Sequence, residues 1–140
     1  MIEVEPLAPA HLTGFTPHQP IDIRPEDMFE EFSKSDGDAW AFKHEGKVVG
    51  VGGLIPLWPG RAMAWMVLDR DSGRGMIALT RFLPHFIDAH GFPRVEMWVS
   101  AGFDLGFRWA GLLGFELETP KPMKRYLADG GDAYLFARCV

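Results

Sequence analysis

Cysteine is nearly missing: Cys139 stands alone in 140 residues, so no internal disulfide can form and cytoplasmic residence is the expectation. Positive charge is also scarce. Lys and Arg number 14 against 19 Asp and Glu, a net charge of −5, which argues against a surface that wraps nucleic acid. No apolar run reaches membrane-spanning length and no basic segment leading into an apolar one opens the chain, so no membrane partner is expected. No group of His and Cys has ligand spacing, which excludes a recognisable metal site. No Gly-Lys-Ser/Thr closes a P-loop, and Gly-x-Gly-x-x-Gly does not occur.

What remains is the composition of a folded domain, with 47% hydrophobic and 24% charged residues. The length fits one domain spanning residues 1–140. Ile2 and Val4 alternate with Glu3 and Glu5 as in a half-buried strand. His11 to Pro20 reads as a loop or a single helical turn. Pro25 opens a helix with Glu26 and Asp27 at its positive end and Lys34 at the other, closed by Gly37. Its run of Glu26, Asp27, Glu30 and Glu31 attracts a cationic amine or simply faces solvent.

Three strands follow as a meander: Ala39 to His44, Val48 to Leu57 and Ala62 to Leu68. Their turns are Glu45-Gly46 and Pro59-Gly60. Gly50, Gly52 and Gly53 imply close approach by a neighbour, or a bulge. Met76 to His90 repeats apolar residues at helical spacing, with Pro84 expected to kink it. Arg94 to Ser100 is a strand, about Phe103 to Leu113 a helix, and Phe115 to Thr119 a strand. Tyr126 to Cys139 reads as a closing hairpin around Asp129-Gly130-Gly131. A meander joined to a crossover from Leu68 to Val95 implies an α+β fold with a mixed sheet.

The most informative stretch is Arg70-Asp71-Ser72-Gly73-Arg74-Gly75, between a strand and a helix. A glycine-rich loop opening a helix offers unpaired N–H groups to an anion, and the helix dipole favours negative charge there. Two arginines add matching charge within an acidic chain. Those features point to a pyrophosphate.

The spacing Arg70-x-x-Gly73-x-Gly75 resembles the acyl-CoA loop of the GNAT family of N-acetyltransferases, written Gln/Arg-x-x-Gly-x-Gly/Ala. Phe107-Arg108-Trp109-Ala110-Gly111-Leu112-Leu113-Gly114-Phe115 resembles that family's helix-to-strand segment, which commonly ends in Leu-Gly-Phe. The same ending looks like the compact GNAT-like proteins of tailed phages. The resemblance implies a mostly antiparallel central sheet flanked by helices, with acetyl-CoA as cosubstrate and no metal. It implies that the backbone of Val67, Leu68 and Asp69 holds the pantetheine arm and acetyl carbonyl. The amides of Ser72, Gly73, Arg74, Gly75 and Met76 would cradle the pyrophosphate, and Arg70 or Arg74 would pair with it. Phe103 and Phe107 would line the arm or serve as core aromatics.

The activity implied is transfer of an acetyl group to an amine by direct attack, on a small molecule or a protein. The alternative is an inactive GNAT-fold structural or interaction protein, phage-related, and a homodimer is among the assemblies expected. Glu96 and Ser100 are the candidate catalytic residues, Glu96 having an ion-paired face as its alternative. Tyr126 and Tyr134 either approach the site or pack as strand aromatics. Ala110 stands where the family carries its usual helix tyrosine, and Phe103 where an Asn often opens that helix.

Overall fold

Alternation at the N-terminus produces an edge strand. In the computed structural model β1 (Ile2–Pro6) runs antiparallel to β2 (Asp38–His44), Ile2 opposite His44 and Pro6 opposite Trp40. Residues 1–19, 23–34 and 37–140 are described; Pro20 and the side chain of Pro25 lie outside the described residues. The remaining elements are α1 (Met28–Phe32), β3 (Lys47–Trp58), β4 (Arg61–Leu68), α2 (Gly75–Asp88), β5 (Arg94–Ser100), α3 (Asp104–Leu112), β6 (Glu116–Leu117) and β7 (Ala133–Cys139). The strand order is β1-β2-β3-β4-β5-β7-β6, with β4 parallel to β5 and the other assigned pairings antiparallel. The expected mixed, mostly antiparallel sheet is present.

The turn between β2 and β3 places both Glu45 (φ 51°) and Gly46 (φ 80°) in the left-handed region, the geometry that matches strand twist in two-residue hairpins. A register shift follows: Phe42 faces Gly50, but Lys43 faces Val48, leaving Val49 as the bulged residue. Gly50, Gly52 and Gly53 are close-approach positions. A Cβ on Gly52 would lie 2.6 Å from the Trp65 carbonyl oxygen, and one on Gly53 would lie 2.6 Å from the Trp65 ring nitrogen.

The contacts group into two compact units, residues 1–56 with 65–82 and residues 57–64 with 83–140. The first has a core of Phe15, Met28, Phe32, Ala41, Val51 and Val67, with Trp65 packed against it. In the second, Val95, Val99, Trp109, Ala110, Leu113 and Phe136 are buried. Within that unit β4 and β5 pair at Arg61–Arg94, Ala62–Val95 and Met63–Glu96.

Two expectations need correction. The first helix stops at Phe32, preceded by a single 3-10 turn at Pro25–Asp27, and Gly37 instead sits tight against the backbone of Leu54. No strand forms from Tyr126: Arg125 takes a positive φ and a turn closes from Leu127 to Gly131, so the last strand starts at Ala133. As expected, Pro84 lies inside α2, which runs on to Asp88.

Candidate functional site

The loop after β4 is built by one buried carboxylate. Asp69, 3% exposed, accepts from the amide of Thr16 through Oδ1 (2.9 Å) and from the amide of Asp71 through Oδ2 (3.0 Å). The Lys47 ammonium lies 3.3 Å from Oδ2 and also donates to the Asp71 carbonyl. The Asp69 amide donates to the carbonyl of the bulged Val49 at 3.0 Å. Asp69 is thus the organiser of this turn. Asp69→Ala leaves those donors without their acceptor and is expected to cost about 2 kcal/mol in a urea unfolding curve.

Past Asp71 the backbone opens. The amides of Ser72, Gly73 and Arg74 have no acceptor among the described residues, whereas Gly75 N–H donates to Ser72 O (2.9 Å) and Met76 N–H to Gly73 O (3.2 Å). The five-amide cradle expected from the sequence therefore reduces to three. Gly73 has φ 54° and open space where a side chain would project; Gly75 is buried against Val49, with 2.4 Å between an added Cβ and Val49 Cγ1. Only Gly73 keeps a ligand approach clear. Arg70 and Arg74 are exposed and have no ion-pair partner among the described residues. Three open donors and two exposed guanidiniums thus stand at the start of a 14-residue helix, an arrangement with the chemistry to take an anion.

The backbone of β4 is not free in the way expected. Leu68 O accepts from His18 N (2.8 Å), Leu68 N donates to Gln19 Oε1 (3.3 Å), and Arg70 N donates to Thr16 O (2.7 Å). Val67 is buried in the first core. The groups meant for a pantetheine arm at Leu68 and Asp69 have protein partners. Thr16, His18, Gln19 and Lys47 carry no motif, which is why the sequence reading passed over them.

Compared as a fold, the chain matches solved structures along its whole length. The ribosomal-protein-S18-alanine N-acetyltransferase from Escherichia coli matches with a TM-score of 0.71 at 18% identity, covering 100% of this chain and 94% of that one. The acetyltransferase of GNAT family from Streptococcus pneumoniae gives 0.61 at 15% identity, with 100% of both chains covered. The fold is that of the GNAT acyltransferases. Ard1 from Thermoplasma volcanium also matches, with a TM-score of 0.71 at 17% identity over 99% of this chain and 97% of that one. No protein-family model matches the sequence, and a search of curated proteins finds no match.

The other candidates, set in the GNAT fold, belong to the second unit. Glu96, 3% exposed, is gripped by Arg61 (Nε–Oε2 2.6 Å, Nη2–Oε1 2.8 Å) and Arg94 (Nε–Oε2 2.6 Å), and Arg94 also binds Glu118. Hydrogen bonds from Arg61 hold the Glu96 carboxyl below its ordinary range, outweighing the opposing effect of burial. The carboxylate is thus held in its charged form between two guanidiniums, the ion-paired arrangement that was the alternative for this residue. Ser100 is half-buried and its hydroxyl has no partner among the described residues.

Each of the candidate aromatics has a neighbour. Phe107 stands edge-on to Tyr134 (5.2 Å) and Phe136 (5.1 Å), the Phe103 ring covers Gly106, and Tyr126 meets Trp98 at 6.5 Å. Ala110 is fully buried, with its carbonyl accepting from Phe115 N. The acidic run of the first unit is a solvated, paired face: Arg24 binds Asp27 at 2.9 Å and Lys34 binds Glu31 at 2.6 Å.

Proposed function

We propose that this chain is an N-acyltransferase that draws its acyl group from acetyl-CoA and delivers it to an amine. The observation that carries the reading is the loop after β4: three N–H groups without acceptors and two arginines without ion-pair partners among the described residues, beside an open Gly73, on a chain of net charge −5. A diphosphate suits it, having several acceptor oxygens for the amides and enough charge for two guanidiniums. The GNAT fold supports the choice of acyl-CoA among diphosphate ligands, and two of the solved neighbours carry acetyltransferase names. Ser72, Gly73 and Arg74 would hold the pyrophosphate through their amides, and Arg70 and Arg74 through their side chains.

Bound acetyl-CoA supplies an acyl carbonyl already activated as a thioester. The protein then has to position an amine, remove its proton and see the thiolate protonated. Glu96 is locked by two arginines, so water takes the ammonium proton in this reading. A second reading, a GNAT-fold binding protein without turnover, draws on Ala110, which places a buried methyl where the family has its acid.

Calorimetric titration with acetyl-CoA, with ATP as control, tests the proposal. Saturable micromolar or tighter binding of acetyl-CoA, with ATP far weaker, is the expected result. Absence of acetyl-CoA binding would overturn it. Binding without thiol release across a panel of amines would favour the second reading.

A further inference from the structure

The edge of β4 has an occupant from its own chain. Thr16 to Gln19 lies along residues 66–70, with an antiparallel bridge between Pro17 and Asp69. Backbone pairing supplies the first contacts, Arg70 N to Thr16 O and His18 N to Leu68 O. At Gln19 the pairing passes to a side chain. Its Nε2 donates to Met66 O at 2.9 Å, and its Oε1 accepts from Leu68 N at 3.3 Å. One partner accepts and the other donates, so the carboxamide has a single orientation that satisfies both. It offers β4 the N–H and C=O that an extended amide chain would offer.

We propose that Gln19 is a resident place-holder on an amide-reading pair, Met66 O and Leu68 N, which it must vacate for the amide-bearing arm of the cosubstrate to bind. The proposal rests on the acyl-CoA reading for the identity of the ligand. Leu68 N–H has one hydrogen, and Gln19 holds it, so an incoming amide and the carboxamide are mutually exclusive there. A ligand that touches only the phosphate cradle makes no such demand. Cosubstrate affinity is therefore set partly by how firmly Gln19 stays in place, and the arm is selected over shorter diphosphates by what it can return to Met66 and Leu68.

The test compares wild type with Gln19→Ala and the near-isosteric Gln19→Met. Calorimetry measures CoA and inorganic pyrophosphate, and hydrogen exchange follows the Leu68 amide without ligand. Losing the competing hydrogen bonds is expected to tighten CoA by about three- to tenfold in both variants, with pyrophosphate unchanged and Leu68 exchanging faster. Unchanged or weaker CoA binding, in variants that melt with the wild type, overturns the place-holder while leaving the acyl-CoA reading standing. Failure of all three proteins to bind CoA overturns the acyl-CoA reading and the place-holder with it.

Discussion

Glutamate at position 75 is expected to cost the protein its fold, while glutamate at position 73 is expected to cost only its ligand. The two glycines are two residues apart in one motif, yet their surroundings differ completely. A Cβ at position 75 would sit 2.4 Å from Val49 Cγ1 and 3.3 Å from His44 Cβ. Both belong to the β2–β3 hairpin, and Val49 is the bulged residue whose carbonyl also anchors Asp69. Overpacking at such a contact costs about 1–3 kcal/mol for the smallest side chain. A buried carboxylate adds a desolvation penalty of several kcal/mol more. At position 73 the added Cβ meets nothing within 4 Å, and only the positive φ is strained. That strain costs about 1–2 kcal/mol, a loss of several degrees in Tm for a domain of this size. The carboxylate then stands over the three open amides, and CoA binding is expected to fall by about a hundredfold. Differential scanning calorimetry beside CoA titration separates the two. Equal loss of fold in both variants, or wild-type CoA affinity in Gly73→Glu, would contradict this division of labour.

That contrast also marks what a sequence can reveal. The elements were legible wherever neighbouring residues cooperate. Alternation in Ile2 to Pro6 and Arg94 to Ser100, and a two-residue turn at Glu45-Gly46, are local signals, and the strands lie where those signals put them. The place of the loop was legible as well, because glycines between an apolar strand and an apolar helix mark the turn within a few residues. Its assignment of five open amides was not, since whether Gly75 and Met76 close a turn onto Ser72 and Gly73 depends on how α2 begins. Longer-range partners left no trace. Gln19 meets Met66, and Glu96 meets Arg61, only after the sheet has formed. Tyr126 shows the converse failure: an aromatic of high strand propensity lies in an irregular segment, where turn geometry at Arg125 and Leu127–Gly131 prevails.

The same long-range pairing sets the second large effect, at Glu96. Glu96→Ala is expected to lower stability by about 3 kcal/mol, near the low end for breaking a buried ion pair because both arginines keep some contact with solvent. It strands Arg61 and Arg94, which otherwise meet opposite Glu96 at the start of the parallel β4–β5 ladder. Glu96→Gln keeps the shape and one acceptor and should lose less. The pH dependence follows from the direction of the shifts. Glu96 and Glu118 both have folded-state pKa values below the ordinary 4.5, chiefly through hydrogen bonds from Arg61 and Arg94 respectively. A depressed carboxylate contributes its full stabilisation above the unfolded pKa and loses it as pH falls through the folded one. Wild-type Tm should therefore be insensitive to Glu96 near neutrality and fall as pH drops below about 4.5, and the Gln variant should show a shallower fall in the same window. The arginine shifts are upward, beyond any pH the fold would meet, and add no alkaline limb. Activity separates a lock from a base. If Glu96 only holds β4 and β5 together, folded Glu96→Gln transfers acetyl groups at close to the wild-type rate, with an unaltered pH–rate profile. A loss of several orders of magnitude in kcat, in a variant that stays folded, would return Glu96 to the catalytic step.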